Sequence, residues 1–219
     1  MKPTSLAPFI DSTLLDPNAS QVAIIELCRQ AVRHQFVAVC VQRQWVATCR
    51  DELQSRVAIA AVVGFPNGSC STELKVADAI ACVQAGATEI DMVVDVAALV
   101  RKDHERVLHD TRSVVRAVTP AKVKVILEVG VLSHDAKVYG CALASAAGAA
   151  FVKTSTGLVV PGATAGDVAL MRTVVGPHMG VKAAGGIRTA ETARAMVAAG
   201  ASRIGTSVAL TLIAGEAGT

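Results

Sequence analysis

Short runs rich in valine and isoleucine recur along the chain and alternate with longer segments in which apolar residues have helical spacing. Runs of this kind, bounded by turn residues, predict β-strands. Eight strands are predicted, the first being the weakest: Phe9–Leu15, Phe36–Val41, Val57–Phe65, Glu89–Val94, Lys122–Val129, Ala150–Lys153, Gly180–Ala184 and Ser202–Gly205. Dividing the 219 residues by eight gives about 27 residues for each repeating unit.

The segments between these runs predict helices. The clearest are Thr72–Ala85, Ala136–Ala147 and Thr189–Ala199. In the first of them, one face carries Leu74, Ala77, Ala81 and Ala85. A Gly-Ala pair follows each helix, at 86–87, 148–149 and 200–201, and glycine is common just past a helix end. Thr189 can cap the last of the three, because its hydroxyl can accept a backbone N–H.

Strands that alternate with helices indicate βαβ units and a parallel sheet. Eight such units without a linker favour one α/β domain over residues 1–219, a closed (β/α)8 barrel of the TIM type. The competing architecture is an open doubly wound sheet. It would usually have fewer strands and a G-x-G-x-x-G sequence after the first one, and that sequence does not occur there.

The composition excludes several classes of protein. With 52% hydrophobic and 18% charged residues, the chain can bury enough surface to fold. Aromatic residues make up only 3% and the net charge is +3, so no nucleic-acid partner is expected. No apolar run reaches 18 residues and the N-terminus lacks a signal-peptide pattern, so we expect a cytoplasmic protein without a membrane partner.

The cysteines and histidines predict no metal site and no disulfide framework. None of the six cysteines forms a C-x-x-C pair, and no histidine or cysteine cluster has zinc spacing. Cys40 lies inside a predicted strand. We interpret it as a small core residue, with a position in the barrel mouth as the alternative.

Three polar residues interrupt or end the apolar runs, namely Asp91, Lys153 and Lys182. Each alone is more simply a strand-end charge or a structural ion pair. Three from different strands of one barrel favour an active site, because barrel sites lie at the carboxyl ends of the strands. Two lysines and one acid suit carbonyl chemistry through a Schiff base. One lysine attacks, the other lowers its pKa, and the acid carries protons. These residues alone do not decide which lysine attacks.

Two glycine-containing loops follow the last two predicted strands, Gly185-Gly186-Ile187-Arg188 and Gly205-Thr206-Ser207. Loops in these positions of a barrel often bind a phosphate through backbone N–H groups. The simpler alternative is that the glycines only make tight turns. Because the two loops match, we favour anion binding.

The ordered set of motifs resembles the 2-deoxyribose-5-phosphate aldolases over nearly the whole chain. The matching segments are Asp11–Leu15 (DSTLL), Val63–Pro66 (VGFP), Thr72–Lys75 (TELK), Glu89–Val93 (EIDMV), Val125–Glu128 (VILE), Phe151–Gly157 (FVKTSTG), Val181–Thr189 (VKAAGGIRT) and Arg203–Ser207 (RIGTS). The resemblance implies a metal-independent class I aldolase on a (β/α)8 barrel. Such an enzyme reversibly cleaves 2-deoxyribose 5-phosphate to glyceraldehyde 3-phosphate and acetaldehyde.

The resemblance also implies roles for individual residues. Lys153 would form the Schiff base, Lys182 would lower its pKa, and Asp91 would relay protons with a water. The residues facing the phosphate would be Gly185, Gly186, Gly205 and Ser207, with Thr156 and Gly157 at the same end of the pocket. No cofactor is expected. The only partner implied besides an aldehyde or sugar-phosphate substrate is a second copy of the chain, in a dimer or tetramer.

The chain departs from the family pattern at Ser12, Asp16, Asp95, Leu158 and Val208. Asp95 adds a carboxylate near the expected proton relay, and Val208 stands where a second serine is common. A lost hydroxyl removes one hydrogen bond to a charged group, roughly 1.5–3 kcal/mol. Two alternatives therefore stay open. One is a Schiff-base aldolase acting on a different or unphosphorylated acceptor, and the other is a non-covalent phosphosugar isomerase or synthase. A sugar-phosphate sensor without activity would be expected to lack one of the three central residues.

Overall fold

The computed structural model describes residues 5–158 and 162–214. Its eight parallel strands pair in chain order, and β1 pairs with both β2 and β8, which closes the barrel. The strands are β1 Ile10–Leu14, β2 Ala38–Val41, β3 Ala58–Val63, β4 Glu89–Val93, β5 Lys122–Ile126, β6 Phe151–Lys153, β7 Gly180–Ala184 and β8 Arg203–Thr206. The predicted (β/α)8 barrel is confirmed, and the open sheet is excluded by the pairing of β1 with β8.

Helices follow the strands on the outside of the barrel. They are α1 Gln21–Arg33, α2 Val46–Leu53, α3 Thr72–Ala85, α4 Val96–Val100, α5 His104–Val118, α6 His134–Ala146, α7 Ala165–Val175, α8 Ala190–Ala198 and α9 Ala209–Ala214. None of these helices combines the length and apolar content that a membrane crossing requires. The extent of the domain, 1–219, stays a prediction because both chain ends lie outside the described residues.

Hydroxyl side chains begin five of the helices. Ser20, Ser71, Ser133, Thr164 and Thr189 each accept a hydrogen bond from the backbone N–H three residues further on. This satisfies one of the free donors of the first helical turn and confirms the predicted cap at Thr189. The cap at Ser133 also explains why α6 begins at His134, two residues before the predicted start.

The predicted run Lys122–Val129 is longer than the strand that it contains. β5 ends at Ile126, and Glu128 then takes the left-handed backbone conformation, with φ 58°. A 3-10 turn follows at Val129–Val131. This conformation is uncommon for a residue other than glycine, and here it turns the Glu128 side chain toward the next loop.

The apolar face predicted for α3 is not the face that packs on the barrel. Leu74 is 60% exposed, whereas Lys75, Ala79 and Cys82 are buried. Lys75 can be buried because its Nζ lies 2.5 Å from Oδ2 of Asp110 in α5. A paired lysine thus replaces the expected leucine on the inner face, and helix periodicity that counts only apolar residues misses it.

Candidate active site

The structure brings Asp91, Lys153 and Lys182 together inside the barrel. Their side chains come from β4, β6 and β7, and none is more than 2% exposed. Nζ of Lys153 and Nζ of Lys182 both donate to Oδ2 of Asp91, each at 2.8 Å. The strand register accounts for this arrangement, since Lys153 is the direct neighbour of Lys182 across β6 and β7.

A third lysine completes the cluster around Asp91. Nζ of Lys124, from β5, donates to Oδ1 of Asp91 at 2.7 Å and lies 2.5 Å from Oε2 of Glu89. Sequence patterns did not indicate Lys124 as a site residue. The available signal was its position in the Lys-Val-Lys-Val run of β5, where alternation turns Lys124 inward while Lys122 is exposed.

Asp11 in β1 is a second carboxylate of the site, one that sequence patterns did not indicate. Its Oδ2 lies 2.5 Å from Nζ of Lys182, and its Oδ1 accepts from Arg203 at 2.7 Å. Asp11 is fully buried. Its signal was a carboxylate directly after the apolar pair Phe9-Ile10, in the weakest of the eight predicted strands.

The interior charges stabilise one another against burial. Burial disfavours the charged form of Asp91, but the ammonium groups around it, Lys124 foremost, hold the pKa of its carboxyl well below the usual range. Burial also disfavours the ammonium of Lys182, yet Asp11 and Asp91 hold its pKa well above the usual range. Asp91 likewise keeps the pKa of Lys124 raised despite burial. The cluster therefore contains ionised carboxylates beside protonated Lys124 and Lys182.

Acidification is expected to destabilise the fold through Asp11. Burial opposes ionisation of this carboxyl, but the charges of Lys182, Lys124 and Arg203 lower its pKa from 3.8 to about 2. A lowered folded-state pKa stabilises the fold fully above about pH 4, and this contribution is lost as the pH falls toward 2. The loss corresponds to about 2 kcal/mol. Urea unfolding across this range should show a shallower decline for Asp11→Asn than for the unmodified protein, and an equal slope would contradict the assignment.

Cys40 lies inside the barrel beside the charged cluster. Its Sγ lies 3.7 Å from Oδ2 of Asp91 and it packs on Ala60 and Val62. Burial, and next the charge of Asp91, raise the pKa of the Cys40 thiol. Both interpretations made from the sequence apply in part, because Cys40 is a buried apolar contact and also touches the site.

The loop after β6 is held by Glu128. Oε2 of Glu128 accepts from the Thr156 hydroxyl at 2.6 Å and from the Thr156 backbone N–H at 3.2 Å. The oxygen of Thr156 in turn accepts the N–H of Leu158 at 3.2 Å. Since the hydroxyl proton of Thr156 points to Glu128, this oxygen can only accept a further hydrogen bond from a ligand. Sequence spacing alone did not indicate the pairing of Glu128 with Thr156.

The loops after β6 and β7 approach each other backbone to backbone. A Cβ added to Gly185 would lie 3.0 Å from Cα of Gly162 and 3.4 Å from Cα of Gly157. The N–H of Ala163 donates to the carbonyl of Gly185 at 3.0 Å. Gly186 has φ 76°, and a Cβ there would meet no atom within 4 Å. The glycines therefore allow a close loop contact at Gly185 and leave open space at Gly186.

Gly205 and Ser207, the two phosphate-binding residues predicted after β8, do not both lie in the loop. Gly205 lies within the strand, where an added Cβ would be 3.0 Å from Cε of Lys182 and 3.0 Å from Cβ of Ala184. Its lack of a side chain leaves room for Lys182. Ser207 follows the strand and is exposed. The phosphate contacts predicted for both residues stay predictions.

Asp95, the additional carboxylate near the expected relay, has structural partners. Its Oδ1 accepts the N–H of Ala98 at 2.9 Å and so caps α4, while its Oδ2 accepts from Arg106 at 2.8 Å. Asp16, another departure from the family pattern, accepts the N–H of Asn18 at 2.8 Å in an exposed turn. These contacts account for both residues without a role in proton transfer.

Two further departures flank the glycine loops. Leu158 is 66% exposed, and the three residues after it, 159–161, lie outside the described residues. Val208 is partly buried, and its N–H donates to Oγ1 of Thr206 at 3.2 Å. Ser12, the remaining departure, is buried in β1 next to Asp11. Leu158 and Val208 thus place two apolar side chains at the loop end of the barrel.

In residues 5–158 and 162–214, no three histidine, cysteine, aspartate or glutamate side chains are arranged to hold a metal ion. The cationic groups in the barrel explain why its carboxylates form no such group, since each carboxylate is already paired with lysine or arginine. That the reaction needs no metal or cofactor stays a prediction.

Comparisons with known proteins agree on one family. The family model described as DeoC/LacD family aldolase matches residues 5–215. A deoxyribose-phosphate aldolase of Thermococcus kodakarensis is 48% identical over 98% of this chain and 98% of its own, and one of Halalkalibacterium halodurans is 45% identical over 97% and 96%. A solved structure, that of the tetrameric deoxyribose phosphate aldolase from Aeropyrum pernix, is 34% identical with a TM-score of 0.88, covering 95% of this chain and 89% of the other.

Proposed function

Because this chain belongs to the DeoC/LacD family of aldolases, we propose that it reversibly cleaves 2-deoxy-D-ribose 5-phosphate to D-glyceraldehyde 3-phosphate and acetaldehyde. The reaction is that of a class I aldolase, a lyase that binds its substrate as a Schiff base. The observation that carries the proposal is the buried lysine pair on one carboxylate, Lys153 and Lys182 at 2.8 Å from Asp91.

Lys153 is the nucleophile in this proposal. It is the last residue of β6, at the carboxyl end of the strand, and it is 2% exposed, whereas Lys124 and Lys182 are fully buried. The two fully buried lysines keep their protons through their carboxylate partners. In the proposed reaction the unprotonated amine of Lys153 attacks the carbonyl carbon.

The Schiff base makes the carbon–carbon bond labile. The amine of Lys153 adds to the C1 aldehyde, and loss of water gives an iminium. Acetaldehyde contains two carbons, so the bond that breaks is C2–C3, and its electron pair moves to the iminium to give an enamine. The C3 hydroxyl loses its proton and C3 becomes the aldehyde carbon of glyceraldehyde 3-phosphate. Protonation of the enamine at C2 and addition of water then release acetaldehyde and restore the amine.

Asp91 moves protons between the lysines and the substrate. Its pKa is far below neutrality because ammonium groups surround it, so in the resting enzyme it is an acceptor. The available protons reside on Lys124 and Lys182, both of which donate to Asp91. A proton that leaves through Asp91, with a water at the barrel mouth, is therefore replaced from a lysine.

The loop end of the barrel suits the remainder of the substrate. The backbone at Gly186 is open beside the close loop contact at Gly185, and N–H groups in such glycine turns bind phosphate oxygens. The Thr156 oxygen can only accept, so it would take a hydrogen bond from a substrate hydroxyl. In this proposal Gly157, Gly205 and Ser207 contribute to the same end of the pocket.

A second candidate is an aldolase for a different or unphosphorylated acceptor aldehyde. The observation that favours it is the apolar character of Leu158 and Val208, which lie beside the loops expected to hold the phosphate. Neither touches the Asp91 cluster, so this candidate shares the Schiff-base chemistry and differs only in the substrate.

Acetaldehyde release from 2-deoxyribose 5-phosphate, measured beside 2-deoxyribose, tests the proposal. We expect turnover with both sugars and a kcat/KM at least about 10-fold higher for the phosphosugar, the value of one hydrogen bond to a charged group. Equal kcat/KM values would favour the unphosphorylated acceptor. No acetaldehyde from either sugar would overturn the proposed reaction.

Replacing Gly185 with alanine is expected to weaken binding of the phosphosugar. The new Cβ would press on Gly162 at 3.0 Å and displace the loop, so KM for 2-deoxyribose 5-phosphate should rise by about 10-fold with little change in kcat. Gly176→Ala is the matched control, because it has a similar positive φ, 68°, and no atom within 4 Å of the added Cβ. Equal kinetics for the two variants would remove the Gly185 loop from phosphate binding.

We also propose that the enzyme works as a homo-oligomer in the cytoplasm. The tetrameric relative from Aeropyrum pernix supports the first statement. The second is supported by the six cysteines, all of which are free thiols, as is usual in a reducing compartment.

A further inference from the structure

Below the three lysines, a layer of charge crosses the barrel at the amino ends of the strands. Arg203 and Glu89 are the first residues of β8 and β4, on opposite sides of the barrel. One guanidinium nitrogen of Arg203 donates to Asp11 at 2.7 Å, and the other donates to Glu89 at 3.0 Å. Glu89 in turn lies 2.5 Å from Nζ of Lys124. A continuous series of contacts thus connects this layer with the Asp91 cluster.

Arg203 packs against an aromatic ring. Its guanidinium carbon lies 5.5 Å from the centroid of the Phe151 ring, a cation–π distance. That ring occupies the space above Gly180, where an added Cβ would come within 2.0 Å of Phe151. Burial disfavours the charge of Arg203, but Asp11 and Glu89 keep its pKa raised. Arg203 is therefore a permanently charged group that touches neither Lys153 nor the substrate end of the barrel.

Titratable side chains of the described residues face the barrel interior from seven of the eight strands. They are Asp11 from β1, Cys40 from β2, Glu89 and Asp91 from β4, Lys124 from β5, Lys153 from β6, Lys182 from β7 and Arg203 from β8. The thiol is neutral because burial raises its pKa. Three carboxylates thus face four basic groups. Lys124, Lys182 and Arg203 each contact at least two of these carboxylates. Among the described residues Lys153 contacts only Asp91, which Lys124 and Lys182 also contact, so Lys153 is the base in excess.

We propose that Arg203 and Glu89 are positioning residues that set the charge of the barrel interior, with Lys153 as the base in excess of the carboxylates. The proposal rests on the proposed function, in which Lys153 is the nucleophile. A net charge in a dry interior is costly, so three negative groups favour three positive ones. Lys124, Lys182 and Arg203 are the three positive groups. A further proton on Lys153 would leave the interior with an excess positive charge.

Substitutions of the two residues should therefore shift the acid limb of the kcat/KM profile in opposite directions. Glu89→Gln removes a negative charge and makes protonation of Lys153 less favourable, so the acid limb of the kcat/KM profile should move to lower pH. Arg203→Met removes a positive charge and makes protonation more favourable, so the limb should move to higher pH. We expect each shift to be about one pH unit, as for one charge acting over roughly 10 Å at an effective dielectric constant near 20.

The test is the pH dependence of kcat/KM for 2-deoxyribose 5-phosphate in four variants. Besides the two single variants, Glu89→Gln/Arg203→Met restores the balance and should return the limb to within about 0.3 pH units of the unmodified enzyme. Arg203→Lys keeps the charge and should do the same, even if it loses stability. A purely structural role would lower activity without moving the limb in opposite directions.

Unmoved limbs, or shifts of the same sign in Glu89→Gln and Arg203→Met, would overturn the proposal. If Arg203→Met does not fold, Glu89→Gln and Arg203→Lys still decide, because an acid limb that stays in place in Glu89→Gln contradicts it. Acetylation of Lys153 by acetic anhydride across pH, followed by peptide mass mapping, gives a readout without substrate and should move in the same directions. Failure of the proposed function would instead appear as absence of turnover in the unmodified enzyme.

Discussion

Replacing Lys153 with leucine is expected to lower kcat for 2-deoxyribose 5-phosphate by at least about 10⁴-fold, the scale on which removal of a covalent nucleophile acts. Leucine fills much of the same space but cannot form an iminium. The loss of the base in excess leaves three carboxylates against three bases, so the variant should fold. Steady-state acetaldehyde release, with circular dichroism to verify the fold, measures the effect.

Lys137→Ala is the control for this substitution. Lys137 is a partly buried lysine in α6 that pairs with Asp167 at 2.6 Å, away from the barrel interior. It should retain kcat within about 2-fold, because neither Lys137 nor Asp167 belongs to the Asp91 cluster and substitutions at separate sites act independently. A Lys153→Leu enzyme with more than about 1% of the unmodified kcat would be too active for the role assigned to Lys153.

Replacing Asp91 with asparagine has the second largest expected effect. Asparagine keeps the shape but loses the charge that holds three lysines, and it cannot relay a proton. We expect kcat to fall by about 10²–10⁴-fold, the usual contribution of a general acid–base group. Exchange of acetaldehyde methyl hydrogens with deuterium oxide should slow in parallel, because that exchange requires protonation of the same enamine.

Asp110→Asn separates this catalytic loss from a loss of stability. Asp110 is also a buried carboxylate with one lysine partner, Lys75, but it lies between α3 and α5 outside the barrel. Removing one partner of a buried pair costs about 3–5 kcal/mol in either place. Only Asp91→Asn should slow deuterium exchange in molecules that remain folded. Equal slowing in both variants would show that the effect of Asp91 is structural.

The barrel could be predicted because its strands are short apolar runs at regular intervals, with glycine after the helices. The ends of the strands were less predictable. The run from Lys122 continues in sequence through Val129, yet the strand ends at Ile126 because Glu128 turns the backbone. A hydropathy pattern does not reveal a positive φ. The inner face of α3 was missed for a related reason, since a buried lysine that pairs with Asp110 looks like a solvent-facing residue.

The central three residues could be found because each stands within or at the end of an apolar run. Glu89 and Arg203 could not, since a charge at the first position of a strand is ordinarily at the surface. Their inward direction depends on the barrel register. The two residues pair with each other although they lie 114 residues apart in sequence. The same holds for Glu128 and Thr156, 28 residues apart. Long-range pairing of polar groups is the part of the site that local patterns do not contain.

Trapping of the Schiff base shows directly whether Lys153 is the nucleophile. The enzyme is incubated with 2-deoxyribose 5-phosphate and borohydride, with 2-deoxyribose in a parallel sample, and the peptides are mapped by mass. We expect a reduced sugar adduct on Lys153, formed at lower doses of the phosphosugar than of the free sugar. An adduct on Lys182 or Lys124, or an enzyme that turns over substrate without any adduct on Lys153, would contradict it.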